Sequence, residues 1–117
     1  MKGLVQRLLF LSLLFIPAIA MAAGLTSLQK KELTVFGMKA MGMNVELGHV
    51  KNILSNPEIK EMVATGLNMN GHLCAQITDI SPLKQNSKYE VSCIAYQGGK
   101  AQKTYIVDAL NGVAFEP

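Results

Sequence analysis

The sequence has little of the positive charge that holds nucleic acid. Arginine occurs once in 117 residues, at Arg7, and after residue 23 no basic cluster is longer than Lys30-Lys31. Nine lysines stand against eight Asp or Glu residues beyond residue 23, which leaves a net charge near +1. Because clustered Lys and Arg side chains supply most of the affinity for a phosphate backbone, we expect no nucleic-acid partner.

Motifs of known catalytic sites are also missing. The sequence has no His-Glu-x-x-His zinc helix, no Gly-x-Ser-x-Gly turn and no phosphate-binding loop. Histidine occurs only as His49 and His72. Glu90 and Asp108 fall on predicted strands, but nothing in their surroundings marks a tuned acid–base pair. The sequence therefore favours a protein that is not an enzyme, with no catalytic residues and no cofactor.

The first 23 residues have the three-part order of a secretory signal peptide. Lys2 and Arg7 form the basic start, residues 8–16 form an apolar run, and small residues follow Pro17. The alternative is an uncleaved anchor, but the run is shorter than the roughly 20 residues that span a bilayer. We expect a periplasmic or secreted domain of residues 24–117 without a membrane span, released by cleavage at one of three sites: after Ala20, Ala22 or Ala23.

Cysteine occurs only twice, at Cys74 and Cys93. Two cysteines in an exported chain are expected to pair, the alternative being two free buried thiols. A further alternative is a catalytic pair in which Cys74 is the nucleophile and His72 is the base. Residues at i and i+2 of a strand lie on the same side, so the two side chains could meet. A disulfide removes this option, since an oxidised Cys74 is neither a nucleophile nor a metal ligand.

Residues 24–70 have the periodicity of helices. A first helix is predicted from Ser27, as N-cap, to about Gly42, because apolar residues recur on one face. A second is predicted from about Leu47, although alternation across residues 43–47 also fits a strand. The third has the clearest start, where Asn56 is the expected N-cap and Pro57 lies in the first turn.

Residues 71–117 instead have the pattern of a β-meander. Four runs are rich in strand-forming residues, namely 73–80, 89–97, 101–109 and 113–116. Gly98-Gly99 and Asn111-Gly112 are typical of two-residue hairpin turns. We therefore predict an α+β fold, in which the N-terminal helices pack on a C-terminal antiparallel meander of three to four strands.

The predicted turns set a register for the sheet. A hairpin centred on Gly98-Gly99 places Val91 opposite Ile106. Between the first two strands, placing Cys74 directly opposite Cys93 also puts Asp79 opposite Lys88, which is a favourable opposite-charge pair. In this register Ile94, Tyr96 and Tyr105 lie on the outer face of the sheet, where they are candidate contacts for a protein partner. The alternative is that a helix covers these three side chains.

Methionine is concentrated in the helical half of the chain. Met38, Met41 and Met43 offer thioethers that suit Cu(I), and His49 or His72 could complete such a site. The alternative is that these methionines fill gaps in the core. Periplasmic copper or other metal binding is therefore the second functional hypothesis.

The chain resembles known families in four stretches, namely residues 71–75 (Gly-His-Leu-Cys-Ala), 89–93, 98–99 and 105–115. Over roughly the last 45 residues, the chain resembles a family of small uncharacterised exported proteins of proteobacteria. The same stretch is distantly similar to PepSY-like domains, in which a helix packs on a strand meander. That resemblance implies a domain that binds or inhibits a protein partner rather than one that catalyses, and it transfers no functional residue.

Overall fold

The computed structural model describes residues 24–117, so the predicted signal peptide lies outside the described residues. Helix α1 spans Ser27–Ala40, and its N-cap is Thr26 rather than the predicted Ser27. The Thr26 hydroxyl accepts the Gln29 N–H, and the Gln29 side chain accepts the Thr26 N–H in return. This reciprocal pair satisfies two of the backbone donors that every helix start leaves free.

The predicted second helix from Leu47 is wrong. The segment forms only a short 3₁₀ turn over Leu47–His49, and none of its three residues is buried. The His49 Nδ1 atom accepts the Glu46 N–H at 3.1 Å, which closes the turn locally. A helix here would need an apolar face packed on the core, because short helices gain most of their stability from such packing.

Helix α2 spans Asn56–Met69 and starts one residue earlier than predicted, with Ser55 as its N-cap. The Ser55 hydroxyl accepts the Glu58 N–H, while the Glu58 carboxylate accepts the Ser55 N–H. Pro57 lies in the first turn, where its missing N–H costs nothing. The helix buries four residues against the rest of the domain: Ile59, Val63, Gly66 and Leu67.

The predicted α+β fold is confirmed, since the two helices precede a four-stranded antiparallel sheet of order β1-β2-β3-β4. The strands are β1 (Gln76–Pro82), β2 (Lys88–Ile94), β3 (Gln102–Asp108) and β4 (Val113–Phe115). Both helices contribute to one buried cluster with the strands. The core therefore lies between the helices and one face of the sheet, and the other sheet face remains outside it.

The predicted register of the sheet is wrong by one residue between β2 and β3. Val91 pairs with Tyr105 instead of Ile106, because the connection is a loop of residues 96–100 in which only Gly98 has a positive φ. A two-residue type I′ turn on Gly98-Gly99 would need positive φ at both glycines. Because side chains alternate between faces, this single step turns Tyr105 inward and Ile106 outward.

The pairing of β1 with β2 also differs from the prediction. Cys93 lies opposite Ile77 rather than Cys74, and Asp79 lies opposite Ser92 rather than Lys88. A β-bulge between Ile77 and Asp79 shifts the register within β1. Lys88 pairs instead with Asp108 on β3, and its Nζ atom lies 3.2 Å from the carboxylate.

Candidate functional site

The disulfide predicted from the two cysteines is present, although Cys74 is not in a strand. The Cα atoms of Cys74 and Cys93 are 5.2 Å apart, and both residues are buried. The Asn68 side chain on α2 holds the segment before β1, since its amide donates to the Cys74 carbonyl and its oxygen accepts the Cys74 N–H. The sulfur of Cys74 therefore belongs to a buried crosslink, and it does not combine with His72 as nucleophile and base.

His72 is engaged elsewhere in the fold. Its Nε2 atom lies 2.9 Å from the Ala114 carbonyl, which can only accept, so Nε2 carries the proton. Its ring packs against Tyr105, with ring centroids 4.8 Å apart. His72 therefore ties the segment before β1 to strand β4.

The three candidate partner contacts do not share one surface. The prediction that Tyr105 is an exposed contact is wrong. Tyr105 is buried, and its hydroxyl donates to the Leu73 carbonyl at 2.8 Å. Burial raises the pKa of its phenol. Ile94 lies partly buried on the outer face of β2, and Tyr96 is 57% exposed at the start of the β2–β3 loop. Tyr96 is thus the accessible aromatic side chain of the three.

Ile94 and Tyr96 line one shallow concave surface at the β2–β3 hairpin. The other lining residues come from the start of β1 and from the loop: Ala75, Gln76, Gln97, Gly98, Gly99 and Lys100. A tyrosine at such a place offers a rigid apolar ring and a hydroxyl, which is the combination most enriched in protein interfaces. We call this set of residues the hairpin surface.

The five candidate metal ligands are only partly brought together. Met38 and His49 line one mostly apolar cavity between α1 and the segment that precedes α2, and Met62 lines it with them. Met41 and Met43 are exposed, at 38% and 50%. His72 lies against Tyr105 and β4. Met62 on α2, which was not among the five candidates, supplies a second thioether beside Met38 and His49.

The ring nitrogen of His49 that carries the proton determines whether the side chain can ligate a metal. Its Nδ1 atom accepts a backbone N–H from Glu46, so in the neutral ring the proton sits on Nε2. An imidazole ligates a metal through an unprotonated nitrogen. Metal binding by the neutral His49 ring would therefore require the loss of this hydrogen bond, because Nδ1 either becomes the ligand or takes up the proton that leaves Nε2. Within residues 24–117, no group of three or more His, Cys, Asp or Glu side chains is placed to hold a metal ion.

A buried carboxylate that sequence reasoning missed lies between α1 and the sheet. Glu32 is 8% exposed, and its two oxygens accept the Tyr89 hydroxyl at 2.5 Å and the Ser87 hydroxyl at 2.7 Å. The Ser87 carbonyl accepts the Ala109 N–H. No local pattern predicts this cluster, because Glu32 is 55 residues from Ser87 and 57 residues from Tyr89 along the chain, and they meet only in the tertiary structure.

Comparison with protein-family models, with curated proteins and with solved structures gives no match to this chain. No helix of residues 24–117 is long and apolar enough to cross a membrane.

Proposed function

We propose that this chain is an exported, non-catalytic domain that binds or inhibits a protein partner, and that the hairpin surface contacts this partner. The exposed Tyr96 ring beside Ile94 carries the proposal, because an accessible aromatic side chain in a concave surface is a typical contact residue of protein interfaces. The buried disulfide supports an oxidising compartment, and hence the periplasm or the outside of the cell. The order of helix and meander is the one implied by the PepSY-like resemblance.

Retention of a partner from periplasmic extract tests this function. Purified mature protein is immobilised beside two variants, Tyr96→Ala and Leu28→Ala. Leu28 is the matched control because it is 55% exposed on α1 and does not line the hairpin surface. We expect a protein that wild type and Leu28→Ala retain and Tyr96→Ala loses. Equal retention by all three proteins, or retention of nothing, would contradict the proposal.

We propose Cu(I) binding as the second candidate function. Met38, Met62 and His49 line one cavity, and two thioethers with an imidazole form a donor set that suits a soft monovalent ion. Titration with Cu(I) against a competing chelator tests this idea, with Met38→Leu and Met62→Leu as variants that keep the apolar volume. We expect wild type to bind and both variants to bind more weakly. Absence of binding tighter than roughly micromolar would exclude the site.

A further inference from the structure

We infer that the free edge of β1 binds an extended segment of a partner protein as a fifth strand, and that this segment carries basic side chains toward the outer face of the sheet. The inference rests on the proposed function and names the kind of partner segment. Strand β1 hydrogen-bonds only to β2, so its other edge has no strand partner among residues 24–117. The main-chain groups on such an edge are chemically suited to an extended peptide.

A groove borders this edge of β1 from Gln76 to Ile80. At one end, the lining residues include Lys60, Ala64, Ala75, Gln76, Ile77 and Gln97. At the other end, Gly24, Leu25, Asn56, Lys60, Asp79 and Ile80 line it. Lys60 borders both parts, so they adjoin each other. A peptide added to β1 would therefore lie between the strand and the exposed side of helix α2, as in other helix-bordered sites of strand addition.

The same groove continues into the hairpin surface. Three residues line both the groove and the hairpin surface, namely Ala75, Gln76 and Gln97. The segment before β1 is held in place by the Asn68 side chain and by the disulfide to Cys93. A partner segment that leaves the groove past Gln76 would thus meet Tyr96, and the border of its binding site is rigid before it binds.

The length of β1 that is available for pairing is limited. The bulge between Ile77 and Asp79 interrupts the regular ladder, and Pro82 has no N–H to donate. Both features discourage the long flat pairing that leads to aggregation. Only about four to six residues of a partner can pair here, which fits a short linear segment rather than another sheet.

On the outer sheet face the charges beside β1 favour basic side chains on the added segment, whereas Lys60 lies on the groove side of the strand. Asp79 on β1 and Glu90 on β2 lie exposed on the outer sheet face, and Glu90 pairs with Ser81, two residues from Asp79. The ion pairs among residues 24–117 are Lys88–Asp108 and Lys103–Glu116, so no cation of these residues lies within 4.0 Å of either carboxylate. The Asp79 carboxylate accepts the Ser81 hydroxyl. A Lys or Arg on an added strand opposite Asp79 would form the cross-strand pair that is missing.

The same charges argue against a second copy of this chain as the occupant. Antiparallel pairing of β1 with itself about a two-fold axis would place the two Asp79 carboxylates close together on one face. Like charges opposite each other in a sheet are destabilising. The alternate side chains of the segment would point into the groove, where Ala64, Ala75 and Ile77 leave room for small apolar groups.

Fluorescence anisotropy with a labelled peptide tests the inference. The probe is an acetylated, amidated heptapeptide of alternating Lys and Val, and the matched peptide has Glu in place of Lys. We expect wild type to bind the Lys peptide at least about tenfold more tightly than the Glu peptide. Asp79→Lys should reverse this preference. Glu46→Lys makes the same charge change away from the groove and should leave the preference as in wild type.

A third peptide separates strand addition from simple charge attraction. Methylation of alternate backbone nitrogens in the Lys peptide removes the donors that would pair with β1 but leaves the side chains intact. We expect this peptide to lose binding to wild type. Equal binding of the methylated peptide would overturn strand addition.

Two other outcomes also overturn the inference. One is no binding of the Lys peptide at roughly 1 mM, and the other is a stable dimer of the mature protein that binds no peptide, which would identify a second copy as the occupant. Peptide binding and partner retention are separate measurements, so the inference and the proposed function can fail independently. Retention that depends on Tyr96, together with no peptide binding, would leave the proposed function standing and exclude the β1 edge.

Discussion

At the scale of single residues, the least expected feature is the buried carboxylate of Glu32. A charge in the interior is costly unless hydrogen bonds replace its water, and here two hydroxyl groups do so. Ser87, one of the two donors, adopts a positive φ of 62°, which is uncommon for a residue with a side chain. The loop between β1 and β2 is therefore fixed by a residue of α1.

Removal of the Tyr89 hydroxyl, which is one of the two donors to Glu32, should destabilise the domain. Tyr89→Phe keeps the ring but leaves one oxygen of Glu32 with no partner, so we expect a loss of about 2 kcal/mol in the free energy of unfolding. Urea unfolding followed by circular dichroism measures this change. Tyr96→Phe is the control, because Tyr96 is 57% exposed and its hydroxyl can be replaced by water. Equal stabilities of the two variants would show that the Glu32 hydrogen bond contributes nothing.

Tyr89 also predicts how the stability of the domain changes at high pH. Burial raises the pKa of Tyr89, and the hydrogen bond to Glu32 and the charge of Glu32 raise it further. A raised pKa in the folded state means that the stabilisation is complete below the unfolded pKa of about 10 and is lost as pH rises above it. We expect stability to fall progressively as pH rises above about 10, and to fall less steeply in Tyr89→Phe. Parallel curves for the two proteins would contradict this assignment.

At the scale of elements, the contact between α1 and α2 depends on two glycines. A Cβ atom built on Gly66 would lie 2.8 Å from Cε2 of Phe36 and 3.3 Å from the Gly37 Cα atom. A Cβ on Gly37 would lie 2.1 Å from Cγ of Met62. The two helices therefore approach each other closely at positions where any side chain would separate them.

Gly66→Ala tests this contact. In a helix the exchange ordinarily stabilises by about 1 kcal/mol, but here the steric conflict should produce a net loss of about 1–3 kcal/mol. Thermal unfolding measures the result. Gly48→Ala is the matched control, because no atom lies within 4 Å of its Cβ position and its φ is not positive. A Gly66→Ala variant as stable as wild type would mean that the helices can move apart without cost.

At the scale of the whole molecule, one covalent bond links the segment after the helices to the centre of the sheet. Cys74 and Cys93 are 19 residues apart, so the disulfide closes a loop that restricts the unfolded chain. We expect the double variant Cys74→Ala/Cys93→Ala to lose about 3 kcal/mol of stability, measured by urea unfolding. A reducing agent should lower the stability of wild type but not that of the double variant. An equal response of both proteins would rule out the disulfide as the cause.

The sequence by itself determined the two α-helices, the strands and the crosslink, whereas the helix predicted from Leu47 is only a short 3₁₀ turn. Asn56 and Pro57 predicted the start of α2 to within one residue, and the alternation after residue 71 predicted strands, because capping and side-chain periodicity act over a few residues. The cysteine pairing was correct for a reason independent of register, since a sequence with only two cysteines offers one partner for each.

Only the tertiary structure decided which side chains face inward and what lies beside the β1 edge. A two-residue turn and the observed five-residue loop were both compatible with Gly98-Gly99, and the difference of one step turned Tyr105 from an expected partner contact into a core residue. The Glu32 cluster and the groove beside α2 join segments that are far apart in the chain. Such contacts depend on how a whole sheet face fits against two helices, and no local pattern encodes that fit.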